Sequence, residues 1–324
     1  MKRILALLAF CILTAQSFQL LAQNPVEKAV QCRVMADSLI KIRQYAKALQ
    51  ALDYYLENAP IDDRHAVTYG DYRKKRNATF SDLQAQLRDI FRDANNALRK
   101  GNQQQAYALF NEYLQNCVTP DLRKDHSYTV ALTHRGLQLQ SQGKIRDALD
   151  IFNQVVQLRL HGEHMDFVHS AETYNLIAAA YSQLGEYNQA IENGEKAVDI
   201  YKRRYGKNHE HYATSLSNLA SYYTSRNAPG DRQHAVELGE EALRCIPDDN
   251  PAFAHAMLNL VVFYSNSGDK VRAQRYSKIA LKKMKKMEKN TINYATMLSN
   301  IQSSIKQSIS MSSMGKYIFR YSSI

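Results

Sequence analysis

Six residues raise the first chemical question. His161, Glu163, His164 and His169 lie close together, and His209 with His211 forms a second group. The spacing His161-x-x-His164 suits two imidazoles on one zinc ion. A catalytic reading needs a convergent acid, base or nucleophile, and these clusters are where one would be sought. Elsewhere the chain has no Gly-rich phosphate loop, no Gly-x-Ser-x-Gly and no His-Glu-x-x-His. Cys32, Cys117 and Cys245 are odd in number and widely scattered. They form neither a disulfide framework nor a metal spacing, and read as small apolar helix residues. Asn77-Ala78-Thr79 fits a glycosylation acceptor, a three-residue pattern common by chance.

The elements that must position these residues announce themselves by repetition. Gly101 precedes Ala106, Gly143 precedes Ala148, Gly185 precedes Ala190 and Gly268 precedes Ala273, five residues apart each time. Ala106, Ala148 and Ala190 follow one another at 42 residues. A long fixed period means stacked repeats, none of which buries its apolar face alone. Within one unit, Tyr174, Ile177, Ala178 and Tyr181 share a helical face. Gly185 turns the chain, and Ala190, Ile191, Gly194, Ala197 and Val198 form a second amphipathic stretch. Each unit is therefore a helical hairpin, with small alanines where the two helices touch. Ala190 to Ala235 is 45 and Ala235 to Ala273 is 38, because the turn Asn227–Asp231 is longer. The first unit, around Ala36, Leu39, Tyr45, Ala48, Leu52 and Tyr55, has no turn glycine. Ala48 to Ala106 is 58, so residues 57–88, with Arg73-Lys74-Lys75-Arg76, lengthen helices or add one.

Small at Ala178, aromatic at Tyr181, glycine at Gly185, then Ala190 and Ala197: this pattern resembles the tetratricopeptide repeat. The usual repeat has about 34 residues. The longer period here is similar to the kinesin-light-chain-like subtype, and the linkers agree with it. His209 to Ala220 is close to that subtype's inter-repeat signature, with further copies at Asn250–Val261 and Thr291–Ile301. Tyr212, Phe253 and Tyr294 mark them at intervals of 41. The resemblance covers roughly residues 27–307. It implies an all-α solenoid, a right-handed superhelix of about five and a half hairpins. Repeats are expected near 29–58, 87–120, 129–162, 171–205, 213–248 and 254–288, with a capping helix at 291–307. Together they make a domain of residues 24–310, followed by an unpatterned tail at 311–324. It also assigns His164 and His209 to a linker position that carries histidine, so helix capping is expected there rather than metal. No catalytic residue, cofactor or metal is expected, and the chain reads as a non-enzyme.

Composition sets the remaining bounds. Of 324 residues, 45% are apolar and 23% charged, the profile of a folded chain. Twelve glycines and six prolines are few, which favours helix. Met1-Lys2-Arg3, the apolar run Ile4–Ala15 and the small residues Ala15, Ser17 and Ala22 have the layout of a secretory signal peptide over residues 1–23. Export to a bacterial periplasm or cell envelope follows, the alternative being an uncleaved membrane anchor. Net charge is +11, with lysines concentrated at Lys282, Lys283, Lys285 and Lys286. That patch reads as a solvated helix face, with an anionic partner as the alternative. No aromatic platform interleaves it, so nucleic acid is not expected.

What is left is a binding surface. The resemblance places first helices on the concave side, where polar positions clamp a peptide. Asn218, Asn259 and Asn300 occupy one place in three successive repeats, 41 residues apart. A carboxamide is both donor and acceptor, so a ladder of them holds a peptide backbone without reading side chains. Ser221, Thr224, Ser265 and Gln140 would border it. The alternative for the asparagines is bonding between neighbouring repeats. The expected function is a protein–protein interaction scaffold that binds a partner segment in this groove. The alternative is the sensor or regulatory arm of an enzyme or signalling system whose catalytic domain is elsewhere.

Overall fold

The computed structural model describes residues 24–60, 67–161, 166–246 and 251–284. The signal-peptide segment 1–23, the capping helix 291–307 and the tail 311–324 lie outside them. Every regular element among the described residues is an α-helix: α1 Pro25–Lys41, α2 Tyr45–Asn58, α3 Val67–Arg99, α4 Gln103–Asn116, the single turn α5 Pro120–Arg123, α6 His126–Ser141, α7 Ile145–His161, α8 Phe167–Gln183, α9 Tyr187–Tyr205, α10 Glu210–Arg226, α11 Asp231–Arg244, α12 Pro251–Ser267 and α13 Lys270–Met284. They make six helix pairs among the described residues, one at each expected repeat. The chain divides into two compact units that part between Gln138 and Leu139.

Backbone hydrogen bonds explain the five-residue spacing. Gly101 has φ 75°. Its N–H donates to Leu98 O at 2.9 Å, and the N–H of Asn102 donates to Ala97 O at 2.9 Å. This pair closes a helix through one left-handed residue, which glycine adopts without a Cβ penalty. The carbonyl of Asn102 then accepts from the N–H of Ala106, four residues on, as the next helix begins. The same six-to-one closure recurs from Lys144 to Leu139, Glu186 to Tyr181 and Asp269 to Tyr264. Turn residue and alanine are thus tied by one closure plus one helical step. The first pair closes identically, with Arg43 in the glycine's place at φ 58°. Gln44 donates to Leu39 O, and Ala48 donates to Gln44 O.

In the first unit the long period is one long helix. α3 runs for 33 residues. Its first half docks on α1 and α2 through polar and aromatic groups. Asp37 accepts from Lys75 Nζ at 2.7 Å and from the Tyr72 hydroxyl at 3.2 Å. Asp53 accepts from Arg76 Nε at 2.8 Å. Tyr72 stands edge-on to buried Tyr55, with centroids 5.3 Å apart, and the Arg33 guanidinium lies over both rings. Of the charged run Arg73–Arg76, Lys75 and Arg76 therefore make this contact, while Arg73 and Lys74 are exposed. Asn77-Ala78-Thr79 sits mid-helix, and buried Thr79 donates its hydroxyl to Lys75 O. A helical site with a buried hydroxyl is no glycosylation acceptor.

The second unit is packed differently. One apolar cluster runs from Ala171 of α8 through Ala197, Tyr201, Leu216, Ala242 and Met257 to Ala280 of α13. Close approach is made by two helical glycines, 45 residues apart. A Cβ on Gly239 would lie 2.7 Å from Phe263 Cδ2, and one on Gly194 would lie 3.2 Å from Leu219 Cδ1. The long turn between α10 and α11 has Asn227 at φ 55° and is fastened by a two-bond ion pair. Arg226 Nε meets Asp231 Oδ2 at 2.9 Å, and Nη2 meets Oδ1 at 2.7 Å. Asp231 Oδ2 also accepts from the Ala228 N–H. The Arg226 guanidinium holds the Asp231 carboxyl below its ordinary range.

Candidate functional site

The histidine clusters resolve into helix starts. His209 is the N-cap of α10, and its Nδ1 accepts from the His211 N–H at 3.2 Å. A side-chain acceptor there satisfies an amide that has no helical partner. The His209 ring stacks on Tyr205, with centroids 4.1 Å apart. At α8 the N-cap is Asp166, which accepts from the His169 N–H and pairs with His169 Nδ1. His161 is exposed at the end of α7, and Glu163 and His164 lie outside the described residues. Just before that linker, Arg159 is buried, and its guanidinium donates to His169 O and Thr173 Oγ1. Burial lowers its pKa, opposed by the charges of Asp166 and Glu172.

The asparagine positions lie on neighbouring first helices. Asn218 is on α10 and Asn259 on α12, and these two helices pack together. Both side chains are half-buried. Among the described residues neither carboxamide has a hydrogen-bond partner, so they do not bond between repeats there. Asn300 lies outside the described residues. Ser221 and Thr224 sit half-buried on α10, and their hydroxyls donate to Ser217 O and Ala220 O of their own helix. Their lone pairs stay available as acceptors. Ser265 Oγ on α12 is buried without a partner, and Gln140 is half-buried near the end of α6. Lys282 and Lys283 fall in the last turn of α13, while Lys285 and Lys286 lie outside the described residues.

Spacing did not bring out Asn175. On α8 its Nδ2 donates to Ser215 Oγ of α10 at 2.9 Å, and its Oδ1 is buried with no partner. It stands three residues before Ala178, whereas Asn218 stands two before Ala220, so the 42-residue register steps past it. α8, α10 and α12 thus lie side by side, joined by this bond and by helix packing. A shallow depression beside the long turn is lined by Asn227–Gly230, Arg232, Gln233 and Ser267, and none of the expected binding residues borders it.

Tyrosines fasten second helices to the next first helix. Tyr223 donates to Glu195 of α9 at 2.9 Å, and Tyr264 donates to Glu240 of α11. Burial, then the Glu195 bond and its charge, push the Tyr223 hydroxyl up to about 12. At the linker, Glu241 accepts from Lys207 at 2.8 Å and from Tyr212 at 2.9 Å. The Lys207 bond, first among its causes, lowers the Glu241 pKa. These groups are occupied in holding repeats together.

Comparison with known proteins agrees with this architecture. The family model for the tetratricopeptide repeat matches residues 169–248. Among solved structures, a kinesin light chain of Podosopora anserina with nearly identical TPR-like repeats aligns at 20% identity and a TM-score of 0.52. It covers 62% of this chain and 95% of its own. A signal-transduction ATPase with a tetratricopeptide repeat sensor, from Pyrococcus horikoshii, aligns at 15% identity and a TM-score of 0.53. It covers 88% of this chain and 40% of its own. A comparison with curated proteins finds no match. Among the described residues no helix is long and apolar enough to cross a membrane. Residues 169–248 thus match the tetratricopeptide repeat model, and the fold is an all-α solenoid like that of kinesin-light-chain-like repeats.

Proposed function

We propose that this protein is a non-catalytic interaction scaffold. It holds a segment of a partner protein against the first helices of its C-terminal repeats. The observation that carries the reading is the pair Asn218 and Asn259. Both are half-buried at equivalent places on packed helices, and neither carboxamide has a partner among the described residues. A half-buried amide without a protein partner keeps its donor and acceptor open, and each hydrogen bond to a bound backbone contributes about 1 kcal/mol net. Ser221, Thr224 and Ser265 add acceptors beside them. The proposal extends to Asn300, the next place in the same register, and to export into a bacterial envelope after removal of residues 1–23.

The test is co-purification from envelope extracts of the native host, read by mass spectrometry. Alanine at Asn218, Asn259 and Asn300 together should deplete a specific partner while the helical circular dichroism and melting temperature stay unchanged. An unchanged set of co-purifying proteins would overturn the reading.

A further inference from the structure

In the second unit the charge is sorted between first and second helices. α8 carries one charged residue, α10 two and α12 none, whereas α9 carries seven, α11 six and α13 six. The three charges on first helices are Glu172 in α8 and the terminal pair Glu210 and Arg226 of α10. Arg226 is already bound to Asp231. Low charge is not a rule for every first helix: α1 has Glu27, Lys28, Arg33, Asp37 and Lys41, whereas α6 carries only Arg135. The unpartnered amides and the unpartnered Ser265 hydroxyl lie on α8, α10 and α12.

We infer that the α8–α10–α12 face takes an uncharged, extended polypeptide segment, held through its backbone by Asn175, Asn218 and Asn259. The inference rests on the interaction reading above and names the chemical class of the partner. A charged side chain brought to a half-buried face loses hydration, and the counter-charges on these helices are confined to exposed Glu172 and the two ends of α10. A backbone amide loses less, and it finds a matching acceptor in Asn175 Oδ1, the buried carboxamide oxygen that bonds nothing. Ser265 Oγ, buried and unpartnered on α12, is a second group awaiting a bond. Binding is therefore set by hydrogen bonds and apolar contact, both of which salt leaves largely intact.

The test uses the full chain and a random displayed library of peptides about 12 residues long, a usual length for groove-bound segments. Selected peptides should be poor in Asp, Glu, Lys and Arg relative to the library. Their affinity should change less than about twofold between about 0.05 and 0.5 M salt. Asn175→Ala, Asn218→Ala and Asn259→Ala together should weaken them by about tenfold or more. If that variant fails to fold, Asn259→Ser alone carries the comparison, with a loss of about threefold. Acid-rich or base-rich binders whose affinity collapses in salt, yet still depends on the asparagines, would overturn the neutral-partner inference and leave the interaction reading standing. No binders, or binders indifferent to the asparagines, would overturn both.

Discussion

The two units join helices by different means. α3 meets α1 and α2 through Asp37, Lys75, Asp53, Arg76 and a cluster of tyrosines. α9 and α11 instead press glycine backbones against Leu219 and Phe263 of the following helices, above one continuous apolar cluster. Exposed or half-exposed ion pairs contribute little each and are screened by salt. Close packing is intolerant of one added carbon. So one added carbon should be felt most in the second unit. Its first helices α8, α10 and α12 carry only Glu172, Glu210 and Arg226 between them.

The sharpest way to break this contrast is Gly239→Ala. The new methyl would stand 2.7 Å from a buried phenylalanine ring and force α11 away from α12. Overpacking of this kind costs about 2 kcal/mol net of the helix propensity gained by alanine. The expected result is a clear fall in melting temperature and faster amide exchange confined to α10–α13. Gly194→Ala, with a 3.2 Å contact to the end of a leucine, should be close to neutral. Equal effects at the two sites would show that close approach is not the limiting feature.

Asp231→Asn comes next. It removes one side of a two-bond ion pair whose carboxylate is buried. The loss should be about 2 kcal/mol at neutral pH. Its pH dependence has a defined sign. The folded carboxyl titrates below its unfolded value, so its contribution is complete above about pH 4 and fades as pH falls through the folded value. Acid unfolding monitored by circular dichroism should therefore bring wild type and variant together at low pH. A gap that widens in acid would contradict the assignment.

Smaller effects belong to the first unit. Arg43→Gly should stabilise the α1–α2 turn by about 1 kcal/mol, since a left-handed arginine is relieved of its Cβ clash. A rise in melting temperature checks this, and a fall would mean that the arginine side chain contributes more than its backbone costs. Lys75→Met with Arg76→Met should cost about 1 kcal/mol or less, and the cost should shrink in high salt. A large, salt-independent loss would erase the distinction between the two units.

Much of the fold was legible in the amino-acid sequence, for a physical reason. One helix closure and one helical step separate turn glycine from alanine, so the spacing is fixed wherever the turn is made that way. The first turn escaped because Arg43 adopts the left-handed conformation without being glycine. The long first period announced a lengthened or added helix, but not which, because the docking face of α3 is built from lysine, arginine and tyrosine, which give no apolar periodicity. At the candidate site, Asn218 and Asn259 were visible as a register, and His209 as a helix cap. Asn175 was not, because it is displaced by one residue and one carboxamide atom is taken by Ser215. The signal that does find its helix is the near absence of charge in residues 167–183, 210–226 and 251–267.

The first-helix face of the C-terminal repeats is proposed to hold a polypeptide partner. A photo-crosslinking residue placed at Asn218 in the native host tests it most directly, with the same residue at Glu237 on α11 as the control. A discrete protein adduct is expected from position 218 and none from 237. Adducts from 237 alone, or equal adducts from both, would contradict it.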